Sequence, residues 1–498
     1  MTRRPCRLPG AVVVPGERKS RRDRPRDEGA RRSPDATVTP MEDQPLRAPV
    51  PRDDTWRWMT GFECTAFPQV GMDELALTQH DRFWGSDLLL AARAGCTTIR
   101  YGIRWHVVNP APREWDWTSV DGPLQLMRDL GIEPIVDLFH FGVPAWLDEG
   151  VMTPIFPDFQ AELARRFARR YPWVRWYTPT NEPYIMSQFG GESAAWFPYR
   201  RGPRNFVIAV RNVARGLCEA WHEIAAERPD ARMMVSDTCE YHHALDDGPA
   251  AGHAALFNER RFLLHELYGG RVTPEHALWG WLLEQGMARE DLDWFREHPA
   301  PLDVVGLDYY PHSEHQWRSG DDGRLIDETR PLPLQLGPAQ LVRQYHARLG
   351  RPLLFAETGA PGGDGTKLAW LSRMVAQART VRAEGVPLIG LTWWGLIDQV
   401  DWSHKLRRFH HDVDPTGLYE LRWRDGRWRE TDPPEDPATG SRVRRLERVP
   451  TGALEAWRDL AFASTRETVG ELAPGVTTPL WSDAPPVSPA GAGPDQAA

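Results

Sequence analysis

Two patterns of apolar positions alternate along this chain. Short apolar runs occur at Met59–Glu63, Thr97–Ile103, Glu133–Phe141, Trp173–Asn181, Met233–Glu240, Val304–Tyr310, Leu353–Glu357 and Leu388–Trp394. Runs of this length, bounded by turn formers, read as buried strands. Helical spacing appears between them. Val210, Val213, Leu217, Trp221 and Ile224 recur every three or four residues, as do Leu368, Leu371, Val375, Ala378 and Val381. Phe159, Leu163 and Phe167 mark a shorter helix. Eight buried strands, each followed by a helix or long loop, predict a single (β/α)8 barrel of the α/β class over residues 56–465. The other α/β arrangement, a doubly wound open sheet, is weakened by the lack of a glycine-rich strand-to-helix turn. Residues 422–450 read as a solvated, turn-rich insertion around Pro433-Pro434. A final helix near Leu454–Ala463 is expected to close the barrel.

The two ends carry no such pattern. Residues 1–32 hold eleven Arg or Lys against four acids and no aromatic residue, so residues 1–50 are expected to be a disordered basic extension. Ala11–Val14 is too short for a signal-peptide core, and Met41 is an alternative start. Residues 471–498, rich in Pro, Ala and Gly, are expected to be a disordered tail.

Composition removes several functional classes. The chain has 498 residues, 41% hydrophobic and 26% charged, with net charge −9, so no general basic surface for nucleic acid is expected. No apolar run approaches a membrane span. Five scattered cysteines point to a reducing, cytoplasmic location without a disulfide framework. His242-His243, His410-His411 and His312 with His315 lack a supporting metal-ligand pattern, so no metal or cofactor is expected.

Polar side chains collect where the strands end, which is where this fold builds active sites. The fourth run closes on Asn181-Glu182-Pro183 and the seventh on Glu357-Thr358-Gly359. Two carboxyls so placed suit an acetal attacked from both sides, one protonating the leaving oxygen and the other stabilising or attacking the sugar cation. Arg100 would lie near a carboxylate, and His140 is available to sugar hydroxyls. The sixth run ends in Asp308-Tyr309-Tyr310, and the eighth leads through Trp394 to Asp401-Trp402. Singly, Arg100 reads as an ion-pair partner, His140 as a core histidine and Trp394 as packing. Six strand ends with sugar-compatible groups are hard to explain that way together. Trp146 and Trp196 are weaker candidates for the entrance.

Thr180-Asn181-Glu182-Pro183, Glu357-Thr358-Gly359, Trp394 and Asp401-Trp402 resemble the retaining β-glycosidases of glycoside hydrolase family 1. The likeness runs from about Trp56 to Tyr419. It implies that Glu182 is the acid/base and Glu357 the nucleophile. It also implies that Asn181 binds the hydroxyl beside the reacting carbon, that Arg100 and Tyr310 hold and tune Glu357, and that His140 and Trp402 bind the glycone. Trp394 would be the stacking floor, and Asp401 would bind the hydroxyls farthest from the reacting carbon. The partner would be a small-molecule or oligosaccharide β-glycoside. Four positions depart from the family pattern. Glu63 follows the first strand, which offers no glycone-binding Gln. His140-Phe141-Gly142 replaces His-Trp-Asp, Asp401 replaces Glu, and Asp308-Tyr309-Tyr310 replaces Asn-Tyr-Tyr. These changes fall on glycone positions and imply an altered sugar preference. Asp401-Trp402 argues for an unphosphorylated glycone, with Lys405 and Arg407 nearby keeping the other option open. A transglycosylase of the same fold differs only in what resolves the intermediate. A non-catalytic carbohydrate-binding barrel would have no need of both glutamates.

Overall fold

A computed structural model of the protein describes residues 56–328, 335–423 and 446–470, with side chains in the last segment described through residue 463. The extensions 1–50 and 471–498 and most of the 422–450 stretch lie outside the described residues.

Strand β1 (Arg57–Gly61) is followed by helix α1 (His80–Arg93), β2 (Thr98–Gly102) by α2 (Thr118–Asp129), and β3 (Glu133–Asp137) by α3 (Phe156–Arg170). The alternation continues with β4 (Trp176–Thr178), α4 (Pro203–Glu227), β5 (Arg232–Thr238), α5 (Pro249–Tyr268), β6 (Val304–Asp308) and α6 (Pro338–Leu349). It ends with β7 (Leu353–Thr358), α7 (Asp364–Ala383), β8 (Leu388–Trp393) and α8 (Gly452–Gly470). The eight strands are parallel and close in sequence order, with β8 pairing back onto β1. The predicted barrel is the observed one. Helix α3 buries Phe156, Leu163 and Phe167 and leaves its arginines outward, and it packs along α4, which buries Val210, Val213, Leu217, Trp221 and Ile224. The α4 stripe is the one read from the sequence, whereas in α3 the buried stripe begins at Phe156 and the expected Phe159 is only half-buried.

Strand length is where the sequence expectation overshoots. The run Trp173–Asn181 is a strand only over Trp176–Thr178, and Glu133–Phe141 only over Glu133–Asp137. Past those points the chain leaves the ladder through left-handed residues, Phe141 at φ 65° and Glu182 at φ 36°. Glu182 therefore lies beyond its strand, and Pro183 opens a short helix, Pro183–Ser187. Two bonds anchor this departing chain, Asn181 N–H to Phe139 O at 2.8 Å and Glu182 N–H to Ser236 O at 2.8 Å. Downstream, the flanks of the expected solvated insertion pair as antiparallel strands, Tyr419–Trp423 with Leu446–Pro450, and Leu421 and Leu446 are buried. Their apolar residues have a core to enter, which the charge of the stretch between them conceals.

Inside the barrel, Met59, Ile135, Met234, Val304, Leu354 and Ala356 form an apolar floor. Side chains two residues apart on a strand share a face. Two positions on from Ile135 and Met234 stand Asp137 and Ser236, and four on from Val304 stands Asp308. The inward face thus changes from apolar to polar towards the strands' C-terminal ends. Gly306 lies between Val304 and Asp308, where a Cβ would stand 2.7 Å from the Met234 sulfur and 2.8 Å from the Ala356 Cβ. Only a bare α-carbon fits at that level.

Candidate active site

Arg100 is the hub of the barrel mouth and is fully buried. From β2 its Nη1 donates to Glu357 Oε1 at 2.6 Å and to Ala356 O at 3.0 Å. Its Nη2 donates to Asp137 Oδ2 at 2.7 Å and to Asn181 Oδ1 at 2.6 Å. One guanidinium thus ties β3, the turn after β4 and β7 together, a job its planar fork does better than an ammonium. The pairing of β7 with β6 shifts register between Phe355 and Glu357, and the freed Ala356 carbonyl is the one Arg100 takes.

Glu357 receives a second donor, the Tyr310 hydroxyl, at 2.8 Å on Oε2. Burial lifts its pKa above the ordinary range, and Arg100, His140 and the Tyr310 hydroxyl act against that lift. Glu182 is placed differently. Its side chain has no hydrogen-bond partner among the described residues, and burial, then Asp308, Glu357 and Asp237, push its pKa well up. Of the two carboxyls, Glu357 has a cation and a phenol to support a charge, and Glu182 is the one whose surroundings oppose a charge.

His140 sits between two demands. Its Nδ1 faces Asp137 Oδ2 at 3.2 Å, and its Nε2 faces Asn181 Nδ2 at 3.2 Å and Glu63 Oε1 at 3.5 Å. Burial lowers its pKa, but Cys64, Asp137 and Glu63 outweigh burial and raise it well above the ordinary value. Asn181 Oδ1 accepts from Arg100, so its Nδ2 donates and requires a lone pair on His140 Nε2. A protonated His140 must release Asn181 and turn to Glu63. Burial pushes Glu63 up, yet His140, the Thr65 hydroxyl and the Trp394 indole hold it at about 2. Its Oε2 accepts from Trp394 Nε1 at 2.9 Å and Gln399 Nε2 at 3.3 Å.

Glu182, Glu357, Arg100, Asn181, His140 and Tyr310 thus converge on the barrel mouth. Two of the expected roles fit the structure poorly. Asp401 was expected to bind the distant hydroxyls, but its Oδ2 accepts from the backbone N–H of His410 and His411 at 2.8 and 3.0 Å, and its Oδ1 from that of Asp412 at 2.9 Å. It is fully buried and stitches its own loop. Trp394, expected as an open stacking floor, exposes 1% of its surface, with the His140 ring parallel at 5.6 Å and the Arg100 guanidinium at 4.8 Å. It packs and orients these groups. Gly61 makes room for it, since a Cβ there would stand 2.1 Å from Trp394 Cζ3. Trp402 is half-buried, its ring edge-on to Trp196 at 5.9 Å. Trp196 is buried and donates to Lys405 O at 2.9 Å, so it is no open entrance platform, whereas Trp146 is half-buried and donates to Asn109 O at 2.9 Å.

Asp137, Ser236 and Gln399 were not singled out from sequence. A strand period applied from the floor residues locates Asp137 and Ser236, whereas nothing in the local pattern points to Gln399. Among the described residues, Glu240, His242 and His315 bring ligand-type atoms within 4.8 Å, as do His404, His410 and Asp412. Trp317 Nε1 donates to His242 Nδ1 at 2.8 Å, so a neutral His242 carries its proton on Nε2. That nitrogen, 3.7 Å from Glu240, has no lone pair to offer a cation.

No family model matches the chain. It is 25% identical to the aryl-phospho-beta-D-glucosidase BglH of Bacillus subtilis (strain 168) over 368 residues, covering 64% of this chain and 76% of that protein. It is also 25% identical to the bifunctional beta-D-glucosidase/beta-D-fucosidase of Bifidobacterium breve over 395 residues, covering 64% and 79%. A beta-glucosidase structure from Thermotoga maritima superimposes with TM-score 0.66 at 19% identity, covering 84% of this chain and 99% of that one. Barrel, paired glutamates and relatives together define a glycoside hydrolase on a (β/α)8 barrel. Within that class the chain resembles the β-glucosidases of glycoside hydrolase family 1, at an identity low enough to mark it as diverged.

Proposed function

We propose that the protein hydrolyses β-glycosides by double displacement, with Glu357 as nucleophile and Glu182 as acid/base. The carrying observation is the asymmetry of the two carboxyls. Glu357 is held by Arg100 and the Tyr310 hydroxyl, and the Glu182 side chain has no hydrogen-bond partner among the described residues and stands beside other acids. In the first step Glu182 protonates the glycosidic oxygen as Glu357 attacks the anomeric carbon and the alcohol leaves. In the second, Glu182 takes a proton from water, the water oxygen attacks the same carbon, and Glu357 is released with retention. Asn181, fixed by Arg100, is positioned for the hydroxyl next to that carbon. His140 and Trp402 are assigned to the glycone. Asp401 acts through the loop that carries Trp402.

The four described cysteines, Cys64, Cys96, Cys218 and Cys239, are buried and free, which supports a cytoplasmic location. No helix among the described residues is long and apolar enough to cross a membrane. The test is a panel of aryl β-glycosides (glucoside, galactoside, mannoside, xyloside, fucoside, glucuronide) with wild type and Glu357→Gln side by side. Turnover by wild type alone is the expected result, and the best substrate names the glycone. Equal turnover by both proteins would overturn the assignment. Product analysis with added sugar acceptors separates hydrolysis from transfer.

A further inference from the structure

Asp308 ends β6 inside the barrel mouth and is 1% exposed. Among the described residues its carboxyl has one hydrogen-bond partner, the Ser236 hydroxyl of β5, at 2.6 Å from Oδ1 and 2.6 Å from Oδ2. A serine hydroxyl has one proton to give and two lone pairs. Two short contacts to one carboxyl are both satisfied when Ser236 donates to one oxygen and a protonated second oxygen donates back to Ser236. Ionised, the carboxylate would have a single neutral donor to replace its water, which is a costly burial.

The charges around it point the same way. Glu357 from β7, Asp237 from β5 and Glu182 from the turn after β4 are acids facing it, with the Tyr310 phenol and the Cys239 thiol nearby. Arg100 from β2 is the facing cation, and its two Nη groups are committed to Glu357, Ala356, Asp137 and Asn181. None of those donors reaches Asp308.

We propose that Asp308 stays protonated while the enzyme works, sharing a reciprocal pair of hydrogen bonds with Ser236, and acts as a positioning residue that keeps a further negative charge away from Glu357 and Glu182. This rests on the roles assigned to those two glutamates. With Asp308 neutral, Arg100 holds Glu357 and Asp137 in the resting site without a further carboxylate drawing on it. Glu182 can then become an anion, once it has given up its proton and Glu357 is bonded to the sugar, without an Asp308 carboxylate against it. The Ser236 backbone carbonyl accepts from Glu182 N–H, so the same serine locks the acid/base turn to Asp308.

The test compares wild type with Asp308→Asn, whose amide reproduces the shape and both hydrogen bonds of a protonated Asp. Infrared difference spectra of the folded proteins are expected to lose a protonated-carboxyl C=O band in the variant and no carboxylate band. Loss of a carboxylate band overturns the proposal. In the pH profile of kcat/KM on an aryl β-glycoside, both limbs are expected to stay in place. Movement of both limbs to lower pH by about one unit, the effect of removing a buried anion, overturns it as well. If neither protein turns over any glycoside, the assignment of Glu182 and Glu357 fails, and the infrared result still decides the protonation of Asp308. If Asp308→Asn does not fold, Ser236→Ala serves. The same C=O band must then shift to higher frequency, and an unchanged band rejects the pair.

Discussion

The floor and the mouth of this barrel are two layers of one closed sheet, and on the strands they share they lie two to four residues, roughly 7–13 Å, apart. The floor is Met59, Ile135, Met234, Val304 and Leu354, with no polar side chain. The mouth has Arg100, Asp137, Ser236, Asp308 and Glu357, all buried and ionisable or hydrogen-bonding. The floor gains from leaving water. The mouth loses hydration and recovers it only through contacts such as those of Arg100, so a buried ion network there is poor evidence of stabilisation. The difference teaches where each layer can be altered. Changes in the floor should register in stability, and changes in the mouth in chemistry.

Breaking the comparison at its strongest point means removing the nucleophile. Glu357→Gln is expected to lower kcat by on the order of 10^4-fold or more, as loss of a nucleophile does elsewhere, while the unfolding midpoint holds or rises, because burial raises the Glu357 pKa and so makes its charge unfavourable in the folded state. Glu182→Gln should cost about 10^2–10^4-fold, with the larger loss on glycosides of poorly acidic alcohols, since those leaving groups need the proton. It should also remove the alkaline limb of kcat/KM. The pH dependence of stability carries a definite sign here. The Glu182 pKa is raised in the folded state, so its contribution is greatest below the ordinary carboxyl pKa and is lost as pH rises through the raised value. Melting temperatures of wild type and Glu182→Gln should therefore diverge with rising pH, the variant becoming the more stable. A gap that closes instead would contradict the protonated assignment.

Met234→Ala sharpens the other side. It should cost about 2–5 kcal/mol in denaturant unfolding, with the pH limbs of the remaining activity unmoved. The smallest effect is expected at the border. Asp401→Ala removes the acceptor for three backbone amides and should cost about 1–3 kcal/mol, with KM rising more than kcat falls, because the loop that carries Trp402 loosens. A large loss of kcat with stability intact would return Asp401 to direct sugar binding.

The barrel was legible because its signal is repeated. Eight buried runs, separated by helical stripes such as Val210 to Ile224, leave few alternatives. The placement of Glu182, Glu357 and Arg100 in the barrel mouth was legible because charged groups at the ends of buried strands are costly without a task. The places where reading failed have a common cause. Asp401 and Trp394 have side chains that sugar chemistry would use, and the sequence carries no record of which backbone amides or rings reach them first. Ser236 and Gln399 are small or neutral groups whose importance comes from partners in distant strands.

Local order and layering followed from the sequence itself, since apolar period and strand-end polarity act between near neighbours. The tertiary structure decided the rest. It set which carboxyl received the cation and the phenol, which was left among other acids, and which were spent on loops. Those outcomes depend on distances between residues hundreds of positions apart, such as Arg100 with Glu357 and Glu63 with Trp394, and barrel closure alone brings them within reach.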